Sequence, residues 1–191
     1  QSDIDPDIAV AATDYFIIRH TGGTTGPSKG VAYTHKAWLA AGRDWFYTFP
    51  PVEPADKCLH LGPISHGSGY QYLPVWLAGG CNVMVDHFET AATLELMERE
   101  KINFCFMVPT MVNAVVHDEV ARNRDFSALK CLLIAAAPIQ DATALAARSI
   151  FGDALYQGYG QTEVLPISMM NSAQCFATID GSNPLRACGL A

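Results

Sequence analysis

Thr21-Gly22-Gly23-Thr24-Thr25-Gly26-Pro27-Ser28-Lys29-Gly30 packs four glycines, three threonine hydroxyls and one lysine into ten residues. It stands directly behind the apolar run Tyr15-Phe16-Ile17-Ile18, which reads as a buried strand. A polyphosphate is held by a segment of this kind. Glycines let the backbone turn close to the anion and aim its N–H groups inward, threonines donate further hydrogen bonds, and lysine adds a mobile positive charge. Each charge-assisted bond is worth about 1.5–3 kcal/mol, so a handful hold a triphosphate. The competing reading is a polar surface loop whose glycines merely serve a turn.

The wording excludes two common nucleotide loops. The P-loop needs Gly-Lys-Ser/Thr in succession, and here Lys29 follows Ser28 and precedes Gly30. The dinucleotide fingerprint needs G-x-G-x-x-G opening a helix, whereas Val31-Ala32-Tyr33 is strand-like and Thr34 caps a helix expected over 36–46. The loop therefore joins two extended segments.

Working outward, apolar runs rich in β-branched residues alternate with segments of helical period. Strands are expected at 14–20, 57–61, 81–86, 103–108, 130–135, 154–158 and 165–169, and helices near 69–77, 90–101, 109–122 and 141–151. Thr90 is expected to cap the helix whose Leu94 and Met97 face inward, with Glu95, Glu98 and Arg99 facing water. Pro109 suits a first helical position, and Val112, Val115, Val116 and Val120 form a stripe behind it. Short strands alternating with helices predict an α/β fold, a mostly parallel sheet covered by helices on both faces. Ligands in such sheets bind beyond the carboxyl ends of the strands. Residues 1–12 read as a linker and 13–191 as one nucleotide-binding subdomain.

Composition narrows the partners. Half of the 191 residues are hydrophobic, 16% are charged and the net charge is −7, which predicts a large core and argues against nucleic acid or an anionic membrane surface. The acidic start has no apolar h-region, no run reaches the length of a membrane span, and the six cysteines show no Cys-x-x-Cys. Reduced thiols in a cytoplasmic protein are the expectation. The spacing of Cys58, His60 and His66 fits no structural zinc pattern.

The loop resembles the signature of the adenylate-forming enzymes, commonly Thr-Ser-Gly-Thr-Thr-Gly-x-Pro-Lys-Gly, departing from it at Gly22 and in the Pro27-Ser28 order. Pro63-Ile64-Ser65-His66 resembles the family's Pro-x-x-His, Ala135-Ala136-Ala137-Pro138 its Gly-Gly-Ala-Pro, and Tyr159-Gly160-Gln161-Thr162-Glu163 its Tyr-Gly-x-Thr-Glu, in the family's order. The resemblance implies an acetyl-CoA synthetase-like N-terminal subdomain and an acyl-CoA synthetase chemistry. In that chemistry ATP and a carboxylic acid give acyl-AMP and pyrophosphate, and the acyl group then passes to CoA.

Site residues follow from the resemblance, together with what each side chain can do. Thr21, Gly23, Thr24, Thr25, Gly26 and Lys29 would hold the phosphates, Thr162 the α-phosphate, and Glu163 a Mg²⁺, which favours one or two carboxylates plus phosphate oxygens. Lys29, Thr162 and Glu163 form the catalytic set. Ala136, Ala137 and Pro138 would wall the adenine, and Gly158 and Gly160 would clear room for Tyr159 to stack on it; the rival role for Tyr159 is an aromatic plug. His66, Gly67, Val108 and Val164 would border an acyl pocket suited to an alkyl or aryl acid. Val108-Pro109-Thr110 favours the CoA ligases over the adenylation domains of peptide synthetases, and a nucleotide-binding module without turnover is the other alternative. Set against the family's length, the chain reads as a central fragment truncated at both ends and inactive alone.

Overall fold

The computed structural model describes residues 7–22, 26–187 and 189. Its centre is a six-stranded sheet in the order β4-β3-β5-β6-β7-β8. The strands are β3 (Lys57–His60), β4 (Cys81–Met84), β5 (Phe104–Met107), β6 (Cys131–Ile134), β7 (Leu155–Gln161) and β8 (Val164–Asn171). All neighbours run parallel except the β7–β8 hairpin. The chain passes from β3 out to β4 and back across β3 to β5, so the strand order reverses there, and the crevice expected of such sheets opens at the carboxyl ends.

Both faces of the central strands are buried. Leu59, Cys105, Met107, Leu132 and Ile134 pack against α3 (Thr90–Arg99), α4 (Pro109–Val116) and α5 (Asp141–Phe151). Cys58, Phe104, Cys131 and Leu133 alternate with them and face the other way, toward Trp45 of α1 (His35–Thr48), Tyr70 of the 3₁₀ turn Gly67–Tyr70, and Val75 of α2 (Tyr72–Leu77). Helices thus cover both faces, as the sequence predicts. Each fully buried aliphatic side chain, such as Leu59 or Val112, contributes about 1.5–3 kcal/mol.

The helix ends reveal two differences. Thr90 is not the cap of α3. The Glu89 carboxylate accepts from Ala92 N (2.6 Å) and Ala91 N (3.2 Å), so one side chain satisfies two orphan donors, and those bonds hold its carboxyl below the usual range. Helix α4 stops at Val116, six residues before its expected end at 122, and Val120 is 45% exposed rather than in the stripe. His117 Nδ1 donates to the Asn113 carbonyl (2.8 Å) and Asp118 accepts from Val120 N (3.0 Å), offering the backbone local alternatives to helical bonds. Thr34 does cap α1, accepting from Ala37 N at 3.1 Å.

The first two strands, β1 (Tyr15–His20) and β2 (Gly30–Thr34), form a separate antiparallel hairpin whose tip is the glycine-rich loop. The expected burial of the apolar run is not found: Tyr15 is 72%, Phe16 48% and Ile18 58% exposed. With only one partner strand and no second sheet over it, the hairpin buries Arg19 and Tyr33 instead. Cys58, Cys105, Cys131 and Cys175 are buried free thiols, and Cys81 is exposed. No helix among the described residues is long and apolar enough to cross a membrane.

Candidate active site at the carboxyl ends of the strands

The glycine-rich loop is closed at its stem by its own first and penultimate positions. Thr21 N donates to the Lys29 carbonyl (2.9 Å), Lys29 N donates to Thr21 Oγ1 (3.2 Å), and the Ser28 hydroxyl donates to the Thr21 carbonyl. The Lys29 side chain is exposed and makes no hydrogen bond or ion pair with the described residues. Gly23, Thr24 and Thr25 lie outside the described residues. Gly26 is exposed, and a Cβ there would meet nothing within 4 Å.

Two buried side chains moor this hairpin to the rest of the site. Arg19, 4% exposed, donates to the His66 carbonyl (3.2 Å) and the Ile64 carbonyl (3.4 Å). Its guanidinium lies 4.5 Å from the Trp38 ring centroid and 4.4 Å from that of Tyr70, so two aromatic faces stand in for the water it has lost. From β2, the Tyr33 hydroxyl donates to the Thr162 carbonyl. Burial, then its bond to Tyr70, holds the Tyr33 phenol far above its ordinary range, and the Glu163 carboxylate pushes the same way. The β1–β2 hairpin that carries the glycine-rich loop, the Pro63-Ile64-Ser65-His66 segment and the Thr162-Glu163 turn are therefore brought together. Sequence reasoning missed both moorings.

Thr162 and Glu163 form the turn of the β7–β8 hairpin, because β7 continues to Gln161 instead of stopping at 158. Thr162 is half-buried; Glu163 is exposed and has no hydrogen bond or ion pair with the described residues. An exposed carboxylate of this kind is chemically suited to serve as one ligand of a Mg²⁺ that takes its other oxygens elsewhere. Among the described residues no three His, Cys, Asp or Glu side chains gather to form a complete protein cage.

Beyond β6 and β7 opens a pocket of about 620 Å³, lined by Ala136, Ala137, Pro138, Gly158, Tyr159 and Gly160, which are the residues expected around adenine apart from Thr162. Gln157, Asp141 and the segment Leu185, Arg186 and Ala187 complete it. Arg186 Nη2 reaches Asp141 Oδ2 at 3.2 Å and holds that carboxyl below its usual range, fixing the far wall against the start of α5. Gln157 Nε2 donates to the Ala187 carbonyl at 3.4 Å. Tyr159 is 39% exposed, its hydroxyl accepting from Gln161 Nε2 at 3.1 Å, so its ring faces a cavity and is no core plug.

A second, apolar pocket of about 70 Å³ adjoins the first along Ala136 and Gly158, Tyr159 and Gly160. Trp45, Tyr70, Phe106, Leu133, Leu165 and Met169 surround it. Of the residues expected at an acyl pocket, Gly67 lines it, while His66, Val108 and Val164 do not. His66 is exposed and contributes its carbonyl to Arg19, Val108 is the N-cap of α4, and Val164 is 50% exposed beside the hairpin turn.

Ala136 sits at the seam between the pockets with φ = 77°, a left-handed conformation that costs an L-residue about 1–2 kcal/mol. Ala136→Gly removes that cost but loosens the unfolded chain, so it is expected to raise stability by about 1 kcal/mol. Urea unfolding of the two proteins checks this, and a lower midpoint for the glycine variant would contradict it.

A family model described as "AMP-binding enzyme" matches residues 2–190. The chain belongs to this family of AMP-binding enzymes. It is 33% identical over 171 residues to a feruloyl-CoA synthase from Amycolatopsis sp., covering 86% of this chain and 33% of that protein. A medium/long-chain-fatty-acid–CoA ligase from Mycobacterium tuberculosis is 28% identical over 166 residues, covering 85% of this chain and 27% of that protein. Among solved structures, an amide bond synthetase from Marinactinospora thermotolerans superposes with a TM-score of 0.73 at 28% identity, covering 80% of this chain and 30% of that one. The chain thus spans about a third of the length of these relatives.

Proposed function

We propose that this AMP-binding chain provides the nucleotide wall and the acid pocket of an ATP-dependent, AMP-forming carboxylic acid–CoA ligase. The observation that carries the reading is the pair of cavities sharing one backbone seam: a roomy pocket suited to a nucleotide, and an apolar one suited to the body of an acid. A carboxylate reaching from the apolar side meets the α-phosphate at that seam. The carboxylate oxygen attacks the α-phosphorus, the bond to the β-phosphate oxygen breaks, and pyrophosphate leaves. In the second half-reaction the CoA thiol loses its proton, sulfur attacks the acyl carbon, and AMP leaves.

The chain's residues perform recognisable parts of this. Tyr159 and the Ala136-Ala137-Pro138 wall orient the purine, and Lys29 with the loop's donors neutralises the departing pyrophosphate. Glu163 would hold a Mg²⁺, whose positive charge would offset that of the phosphate oxygens. Trp45, Phe106 and Leu165 keep water from the mixed anhydride. The relatives named as feruloyl-CoA and medium/long-chain-fatty-acid–CoA enzymes support aryl or alkyl acids as the substrate class.

The test is acid-dependent exchange of labelled pyrophosphate into ATP, measured on the protein expressed from its complete reading frame with a panel of aryl and alkyl acids. Exchange that requires both Mg²⁺ and an acid is the expected result. ATP binding with no exchange for any acid would overturn the reading.

A further inference from the structure

Beyond the apolar pocket lies a groove of about 350 Å³, open at the surface and lined by Tyr47, Thr48, Phe49, Pro50, Tyr156, Asn171, Gln174 and Met169. Met169 lines both cavities and is the residue they share. The arrangement follows from the β7–β8 register and from the helix above it. Gly158, paired with Met169, borders the pocket; Tyr156, paired with Asn171, borders the groove. Overhead, Trp45 of α1 roofs the pocket and Phe49, just past the helix, roofs the groove, their rings stacked 4.1 Å apart. The two spaces lie side by side under the end of α1, and Met169 stands in the wall of each.

We propose that Met169 is the specificity-determining stop of the acid pocket, setting how long an acid the site accepts. The proposal rests on the acid–CoA ligase reading. A pocket of about 70 Å³ is far below the roughly 300–1,000 Å³ of ordinary small-molecule sites, so with the stop in place it takes compact acids. The groove behind it is the space into which a longer tail would run. Gly158, opposite Met169 on the neighbouring strand, carries no side chain, and the space beside it is taken by Leu133, whose Cδ1 would stand 2.9 Å from an added Cβ. Met169 thus forms the wall between the two spaces with an unbranched side chain, the most adaptable kind of wall.

The experiment measures kcat/KM for acid-dependent pyrophosphate exchange, over the straight-chain acids from butanoic to dodecanoic and one cinnamic-type acid, on the complete protein. Met169→Ala is expected to move the optimum to longer straight-chain acids and to raise the ratio of decanoate to butanoate at least about tenfold, the lower end of what pocket methylenes discriminate. Met169→Phe should move the ratio in the opposite direction. Thermal unfolding is recorded for each variant, and if the alanine protein fails to fold, the phenylalanine variant and Met169→Leu carry the test. Folded, active variants with the wild-type length profile overturn the assignment of Met169 while leaving the ligase reading intact. A wild-type protein inactive with every acid overturns both.

Discussion

Lys29→Ala and Glu163→Ala are each expected to slow acid-dependent pyrophosphate exchange by about 10²-fold or more, the loss typical when one donor or charge aimed at a transition state is removed. Both are assigned to the triphosphate, which is gone once acyl-AMP has formed. Transfer from preformed acyl-AMP to CoA should therefore be nearly unchanged. The structure adds a control that sequence alone lacks. Both side chains are exposed and neither is bonded to the described residues, so truncating them should leave the melting temperature almost unmoved, as for ordinary surface changes within about ±0.5 kcal/mol. Equal loss in the two half-reactions, or a marked drop in thermal stability, would move these residues from the chemistry to the fold.

How much was legible in the chain depended on whether the deciding contact was local. The central strands were readable because burial on both faces leaves near-continuous apolar runs, and Asp141–Phe151 was readable to its ends because a helix stop at Gly152 is written in one residue. The small residues around Ala136 and Gly158 announced a close approach of backbone, and they do border a cavity. The run at 15–18 misled because apolar periodicity reports side-chain chemistry and not what lies opposite; the two-stranded hairpin is covered in part by Trp38 and Tyr70, which leaves Tyr15 and Ile18 exposed. The lining of the apolar pocket was out of reach for a related reason. Val108 and Val164 adjoin motifs in the chain, whereas Trp45, Phe106 and Met169 adjoin the site in space. Arg19 and Tyr33 were illegible: their partners lie 45 and 47 residues away for the one and 129 for the other. No window along the chain contains such a pair.

Gly69→Ala strikes that same mooring, and among the described glycines an added Cβ overlaps its surroundings most closely here. Gly69 lies in the 3₁₀ turn Gly67–Tyr70, its N–H donating to the His66 carbonyl at 3.0 Å. A Cβ built on it would stand 1.6 Å from the Ile64 oxygen and 2.6 Å from the Ile64 carbonyl carbon. The obstacle is backbone, so no rotamer can move aside and the 64–69 loop must shift. The Ile64 oxygen is also one of the two acceptors of Arg19. Displacing it leaves a buried guanidinium short of a partner in addition to the overlap. Overpacking alone costs about 1–3 kcal/mol, and a buried charge deprived of its partner about 3–5 kcal/mol. A loss of about 3 kcal/mol or more is expected, read as a lower urea midpoint or as failure to accumulate folded protein. Gly62→Ala, at the mouth of the same loop with nothing within 4 Å of the added carbon, should be close to neutral. If the two variants unfold at the same midpoint, the packing of Gly69 on Ile64, and with it the rigid mooring of Arg19, is wrong.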